Sequence, residues 1–285
     1  MSQVNAQSSE PNALPSVNGT LSFIVPQETK PVFHSTALTG GEAKLFFEIE
    51  DVEVEVADMR AIKDKLSIDR EGFELQQNVT EVEDLYDDAA VETDYHAEIS
   101  ALLTERFGAS QVAIFDVTRR SDGTAGAENP DGLRKPATRV HVDYTLKSGP
   151  QRAKDVLGED EYERLIESGA RILQVNVWRP IVGPVESSPL ALADASSLAE
   201  EELVATDQVF ADRVGEIYQV AYGAGQRWYY ASEMARDEVI LIKGWDSIDD
   251  GRAHFTPHGA FELPESKPNA APRESIEVRT FVVIE

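Results

Sequence analysis

The sequence predicts a mainly β protein with flanking helices, of the double-sheet jelly-roll kind. Three observations carry that reading. The runs GEIYQVAYG (215–223), QRWYYASE (226–233) and DEVILIKGW (237–245) are short, rich in β-branched and aromatic residues, and separated by turn residues with no helix between them. That spacing marks an antiparallel sandwich or barrel and not an open α/β sheet. Further strand-like runs stand at 111–120, 171–181 and 274–285, whereas only two segments have helical apolar spacing. A chain of 285 residues, 41% of them hydrophobic, is long enough to bury a substantial core.

In chain order, residues 1–18 are rich in Ser, Asn, Gln and Pro and are expected to be a disordered tail. LSFIV (21–25) and the stretch 44–60 have strand content, and residues 80–92 are strongly acidic. They lead into an expected helix over about 93–107, with Thr93 as N-cap and Ile99, Leu102, Leu103 and Phe107 on one face. QVAIFDVTRR (111–120) is a strand, 121–136 a loop of turn residues, and ATRVHVDYT (137–145) a strand. A second helix is expected over 150–169, followed by the strand RILQVNVWRPI (171–181), closed by Pro180. GPVESSPLALAD reads as a proline-broken loop, and 197–213 is acidic and mixed. The outline is one domain over 19–285, with a β-rich core from about 110 to 285 and an N-terminal extension.

Composition narrows the function. With 26 basic and 52 acidic residues the formal charge is −26, which repels phosphates and argues against nucleic acid and anionic membranes as partners. The absence of Cys removes disulfides, zinc–thiolate sites, iron–sulfur clusters and thiol nucleophiles. No apolar run approaches the roughly 18–20 residues of a bilayer span, and the polar N-terminus does not read as a signal peptide. The expectation is a soluble cytoplasmic protein acting on a small molecule.

Chemistry must then rest on His, carboxylates, Arg, Lys, Tyr or Ser. His141 and Asp143 form a His-x-Asp pair within the expected strand 137–145, and residues i and i+2 of a strand share a face. A distal His, either His254 or His258 of RAHFTPHGAF (252–261), completes two imidazoles and a carboxylate. That donor set suits a non-haem Fe(II) facial triad with positions left open. In the last strand Arg273, Ser275, Glu277 and Arg279 alternate, so they also share a face. An arginine with a nearby hydroxyl is what the far end of a dicarboxylate requires. Gln174, Asn176 and Trp178 have common parity in the strand 171–181. Trp178 is first of all a core residue, and Lys243 is expected in solvent. Asp246 and Ser247 read as a turn, while His34 and His96 lie outside the motif.

The order His-x-Asp, distant His, then Arg-x-Ser resembles the Fe(II)/2-oxoglutarate-dependent oxygenases. VHVDYT, NVWRPIVGPVESSPLALAD, WYY, IKGWDS and TPHGAF…PRESIEVR resemble, more narrowly, the hydroxylase/desaturase enzymes of secondary metabolism. Cephamycin-methoxylation, gibberellin-desaturase-like and endoperoxide-forming relatives belong to that subgroup. The resemblance covers roughly residues 110–285, with a weaker echo in VEVADMR (54–60). It implies a double-stranded β-helix, cupin-like in form, with His141, Asp143 and His258 as iron ligands. Gly259 stands where the subgroup usually has Thr. The resemblance further implies 2-oxoglutarate held by Arg273 and Ser275, with Arg279 as the alternative anchor, and O2 as the oxidant. The expected outcome is hydroxylation or desaturation of a small molecule, with succinate and CO2 as coproducts. Asn176, Trp178, Arg179 and Tyr229 are candidates for the substrate pocket. On the residues alone, a cupin-like metal hydrolase or isomerase, an oxygenase without a cosubstrate, and a β-sandwich binding module remain alternatives.

Overall fold

The computed structural model describes residues 14–285 except 40–42, 131 and 265–268. Its strands are β1 (Ser16–Ile24), β2 (Val32–His34), β3 (Lys44–Leu45), β4 (Ile49–Asp58), β5 (Phe73–Gln77), β6 (Gln111–Ser121), β7 (His141–Val142) and β8 (Arg171–Val182). They continue as β9 (Leu190–Ala193), β10 (Leu203–Val209), β11 (Val214–Val220), β12 (Trp228–Tyr230), β13 (Glu238–Asp246), β14 (His258–Ala260) and β15 (Glu274–Ile284). One sheet runs β1-β4-β12-β9-β14-β7-β11-β10-β2-β3, the other β5-β13-β8-β15-β6. This is the expected double-stranded β-helix.

Strand alternation builds the layers. In β8, Leu173, Val175 and Val177 pack with Val239, Leu241, Ile276 and Val278 of the same sheet against Tyr95, Ile99 and Leu103, which lie in and just before the helix His96–Phe107. The intervening residues face the other sheet. Trp178, Ile240 and Ile242 meet Leu190, Leu192 and Tyr229 at one end of the interior. Ile172, Trp245, Phe281 and Val283 meet Val142, Phe255 and Tyr218 at the other. Each such fully buried aliphatic or aromatic side chain contributes about 1.5–3 kcal/mol. Polar side chains occupy the stretch of inner surface between these two apolar ends.

Several elements differ from the sequence reading. The helical segment starts earlier than Thr93, because Asp87 caps it by accepting from the Ala89 and Ala90 amides. Thr93 lies inside a π-type turn, Val91–Tyr95, where its hydroxyl donates to the Ala89 carbonyl. The expected helix 150–169 is two, Ser148–Leu157 and Glu159–Ser168, broken where Gly158 takes φ 91° and ψ 143°. Only glycine adopts that conformation readily. Pro180 does not end β8; it pairs opposite Ser275, and the ladder beside it shifts register. The proline-broken loop contains β9, and the expected strand 137–145 retains only β7 as regular strand.

The first strand begins at Ser16, inside the expected tail, and residues 1–13 lie outside the described set. The N-terminal stretch is woven in: β1 to β4 join the ten-stranded sheet, and β5 pairs with β13. Among the described residues, no helix is long and apolar enough to cross a membrane.

Candidate active site

His141 and His258 come from strands far apart in sequence that pair directly, His258 opposite His141. Their ring centroids are 4.6 Å apart. Asp143 follows β7 immediately, with Oδ1 3.6 Å from His141 Nε2. One ligand atom from each of the three lies within 4.8 Å of the others. Each imidazole is held from behind. His141 Nδ1–H donates to the Arg139 carbonyl and His258 Nδ1–H to the Thr256 carbonyl, both at 2.9 Å. A carbonyl only accepts, so the proton sits on Nδ1 and each Nε2 keeps its lone pair for the shared volume. Burial, then the adjacent His141 ring, lowers the His258 pKa below its usual value, which favours the neutral ligating form. The donor set and tautomers fit a divalent non-haem iron.

The second ligand position is supported from the N-terminal stretch. Gly72, at φ +90°, turns its carbonyl to accept both the Thr256 hydroxyl (2.5 Å) and the Lys243 amide (2.8 Å). A Cβ at Gly72 would stand 2.3 Å from Thr256 Oγ1. Gly259, beside His258, runs close to the segment before β7, where a Cβ would meet the Thr138 carbonyl at 3.3 Å.

Asp143 Oδ2 accepts from Asn176 Nδ2 at 2.7 Å and Arg279 Nε at 3.2 Å. Burial pushes its pKa up, but the adjacent Arg279 guanidinium outweighs this and holds it well below the usual carboxylate range. Arg279 is the paired arginine of β15: it also meets Asp116 and Glu277, each at 2.5 Å. Its charge is therefore already answered within the protein.

Arg273 is different. Its Nη1 donates to the Ser188 carbonyl at 2.7 Å, its guanidinium lies 5.6 Å from the Trp178 ring, and its buried Nε has no partner among the described residues. Burial and the neighbouring Arg120 push its pKa down to about 9. Arg120, whose Nη1 donates to the Lys135 carbonyl, is likewise pushed down to about 10, chiefly by burial. Ser275 sits across the ladder from Arg120 and is buried. Arg120, Arg273, Ser275, His141 and His258 line one cavity, which Trp178 helps to wall. Buried cations without a carboxylate partner are costly, so the arrangement suits an anionic ligand beside the three metal donors.

The other expected site residues divide. Asn176 reaches the cluster through Asp143. Arg179 does not; it points to the helical side, donating to the Tyr95 hydroxyl and to the carbonyls of Asn78 and Arg236. Strand parity is the reason, since Arg179 follows Val175 and Val177 onto the opposite face. Tyr229 faces the interior but packs 5.9 Å from Phe73 in the apolar end. His254 pairs with Asp249 outside the donor group. Lys243, expected in solvent, is fully buried on Asp69 and Asp246.

Arg120, Gln174 and Thr256 were not singled out for these roles, although the parity of Asp116, Thr118 and Arg120 in β6 carried a usable signal. Ser188, with a left-handed φ of 43°, carries the carbonyl that holds Arg273; nothing in its sequence marks that conformation.

A family model described as an oxidoreductase/YMDC permease-like domain matches residues 21–283. The Fe(II)/2-oxoglutarate-dependent dioxygenase nvfI of Aspergillus novofumigatus is 31% identical over 252 residues, which is 85% of this chain and 87% of the relative. The chain belongs to this oxidoreductase family, as an Fe(II)/2-oxoglutarate-dependent dioxygenase. The dioxygenase is also 29% identical to the hydroxylase/desaturase efuI of Hormonema carpetanum, over 94% of this chain and 95% of the relative. A solved structure of the iron and alpha-ketoglutarate-dependent endoperoxidase NvfI superposes with a TM-score of 0.82 at 28% identity, covering 94% of this dioxygenase and 97% of that chain.

Proposed function

We propose that this dioxygenase hydroxylates or desaturates a small molecule of secondary-metabolite type, with succinate and CO2 as coproducts. His141, Asp143 and His258 hold the Fe(II), and Arg273 with the Ser275 hydroxyl takes the distal carboxylate of 2-oxoglutarate. When bound, the metal and its cosubstrate supply, with O2, the two-electron oxidation that breaks a substrate C–H bond. The protein's part is positional. The carbonyls of Arg139 and Thr256 fix the imidazole tautomers, and the Ser188 carbonyl and Trp178 ring set the Arg273 guanidinium. The apolar clusters at either end of the interior limit water around the reacting atoms.

The observation that carries this reading is the convergence of two Nε2 lone pairs and a carboxylate beside a buried arginine whose Nε has no hydrogen-bond partner among the described residues. Residues 19–285 act as one oxygenase unit on this reading, since the cavity draws on β6 and β15 of one sheet and β7 and β14 of the other. The names of the relatives support a secondary-metabolite substrate, and a net charge of −26 favours a neutral or cationic one.

Anaerobic titration of metal-free protein with Fe(II) and 2-oxoglutarate tests the site. A weak visible charge-transfer band requiring both additions, and missing in His141→Ala, is expected; succinate release then screens substrates. Folded protein that binds metal but gives no band with 2-oxoglutarate would refute the reading.

A further inference from the structure

We propose that Asn176 and Arg279 are positioning residues that keep Asp143 a one-oxygen ligand, so that metal positions stay free for the cosubstrate. The inference rests on the iron and 2-oxoglutarate reading above, and it moves Arg279 from candidate cosubstrate anchor to guardian of the metal carboxylate.

The two oxygens of Asp143 have unlike surroundings. Oδ2 receives two donors, Asn176 Nδ2 at 2.7 Å and Arg279 Nε at 3.2 Å. Oδ1 faces His141 Nε2 at 3.6 Å, on the side where the imidazole lone pairs converge. Both donors are themselves held. Gln174 Nε2 donates to Asn176 Oδ1 at 2.6 Å, which turns the Asn176 amide so that its NH2 end meets Asp143. Arg279 is pinned by Asp116 and Glu277, and its Nη1 also donates to the Thr118 hydroxyl at 3.1 Å. Asn176, Gln174 and Thr280, which donates to the Val175 carbonyl, are all fully buried, so this part of the lattice has little freedom to rearrange.

A carboxylate held this way presents one oxygen. A six-position metal with two imidazoles and one carboxylate oxygen has three positions left, two for a chelating 2-oxo acid and one for O2. If Oδ2 were released, it would compete for one of those positions. The clamp therefore acts on cosubstrate binding more than on metal binding. A side chain that merely aimed Asp143 would act the other way round, since loss of such support typically costs about 10–100-fold in metal affinity.

The experiment separates these two affinities. Metal-free wild type, Asn176→Ala and Gln174→Met are titrated anaerobically with Mn(II) by calorimetry, and 2-oxoglutarate is then titrated into each protein at saturating Mn(II). Circular dichroism and thermal melts confirm folding. Gln174→Met removes the orienting amide without touching Asp143, and it carries the test if Asn176→Ala does not fold. The expected result is a loss of about 10-fold in 2-oxoglutarate affinity for Asn176→Ala, and a smaller loss for Gln174→Met, with Mn(II) affinity changed by less than about threefold. Unchanged 2-oxoglutarate affinity at saturating metal, whatever happens to Mn(II), would overturn the clamp while leaving the site reading intact. Failure of the wild type itself to bind Mn(II), or to bind 2-oxoglutarate once loaded, would overturn both.

Discussion

Two of the charged clusters along the five-stranded sheet are built on opposite principles. Around Lys243, two cations and two carboxylates answer one another: Lys243 Nζ donates to Asp246 at 2.7 Å and Asp69 at 2.9 Å, and Arg171 joins both acids. Burial pushes the Asp246 pKa up, yet Arg171 and Lys243 bring it below its usual value, while Asp69 falls to about 2. Around Arg273 and Arg120 the side-chain hydrogen bonds among the described residues go to carbonyls, Asp122 and Glu277 act only at a distance, and both pKa values move down. The first cluster is closed; the second is short of an anion. Buried charge alone therefore does not mark a ligand site. What marks the second cluster is that it borders a cavity shared with the metal donors; Arg179, equally buried on carbonyls and the Tyr95 hydroxyl, does not line that cavity.

The closed cluster is also joined to His258. The Gly72 carbonyl takes the Lys243 amide with one lone pair and the Thr256 hydroxyl with the other, and the Thr256 carbonyl holds His258. The closed cluster thus anchors the turn on which a metal ligand leans.

Breaking the closed cluster has the largest effect expected. Asp246→Ala leaves Lys243 buried with only the half-exposed Asp69, and should cost about 3–5 kcal/mol in urea denaturation. A loss under about 1 kcal/mol would show that the network is slack. In the open cluster the equivalent change has another signature. Arg273→Met should weaken 2-oxoglutarate binding to metal-loaded protein by about 100-fold, roughly 3 kcal/mol, in calorimetry. Ligand-free stability should hold or rise, because an uncompensated cation is removed.

The pH dependence sharpens the contrast. Burial and Arg120 push the Arg273 pKa down, but a guanidinium keeps its proton across the folding range, so nothing in the open cluster changes charge near neutrality. The difference in melting temperature between wild type and Arg273→Met should therefore stay flat from about pH 6 to pH 9. The closed cluster responds in acid instead. Asp69 and Asp246 have lowered pKa values, so their contribution is present above about pH 4 and fades as pH falls toward 2. A change in Asp246→Ala relative to wild type between pH 8 and 10 would count against this division.

The smallest effect is local and involves neither cluster. Asp87→Ala should cost about 1 kcal/mol by removing the helix cap, and Thr93→Ala less, both measured by chemical denaturation. A larger loss from Thr93→Ala would restore the cap to the position that sequence spacing suggests.

Much of the site was legible because its residue types and order are unusual. His141-x-Asp143, the histidine at 258 and Arg273-x-Ser275 each stand out in a chain without cysteine and with five histidines. Strand parity then grouped Arg273, Ser275, Glu277 and Arg279, and separately Gln174, Asn176 and Trp178; both groups face the interior. Parity could not say which of the two arginines is already paired, because Asp116 and Asp143 reach Arg279 from other strands. Arg179 stands among the site candidates only through its neighbours in sequence, and parity turns it to the opposite face. Lys243 looked solvated because its partners Asp69 and Arg171 are distant in sequence.

By itself, then, the sequence determined the fold class and, through its resemblance, the family, and it offered His141, Asp143 and one of His254 or His258 as candidate metal donors, since these depend on local periodicity and on rare residues in a fixed order. The tertiary structure alone decided which charges are answered, which face of each strand lies inside, and how Asp143 is gripped. Those outcomes depend on hydrogen-bond registers between strands far apart in the chain, such as His258 opposite His141. Such a register is set only when both sheets assemble, because each pairing is selected by the burial of every other.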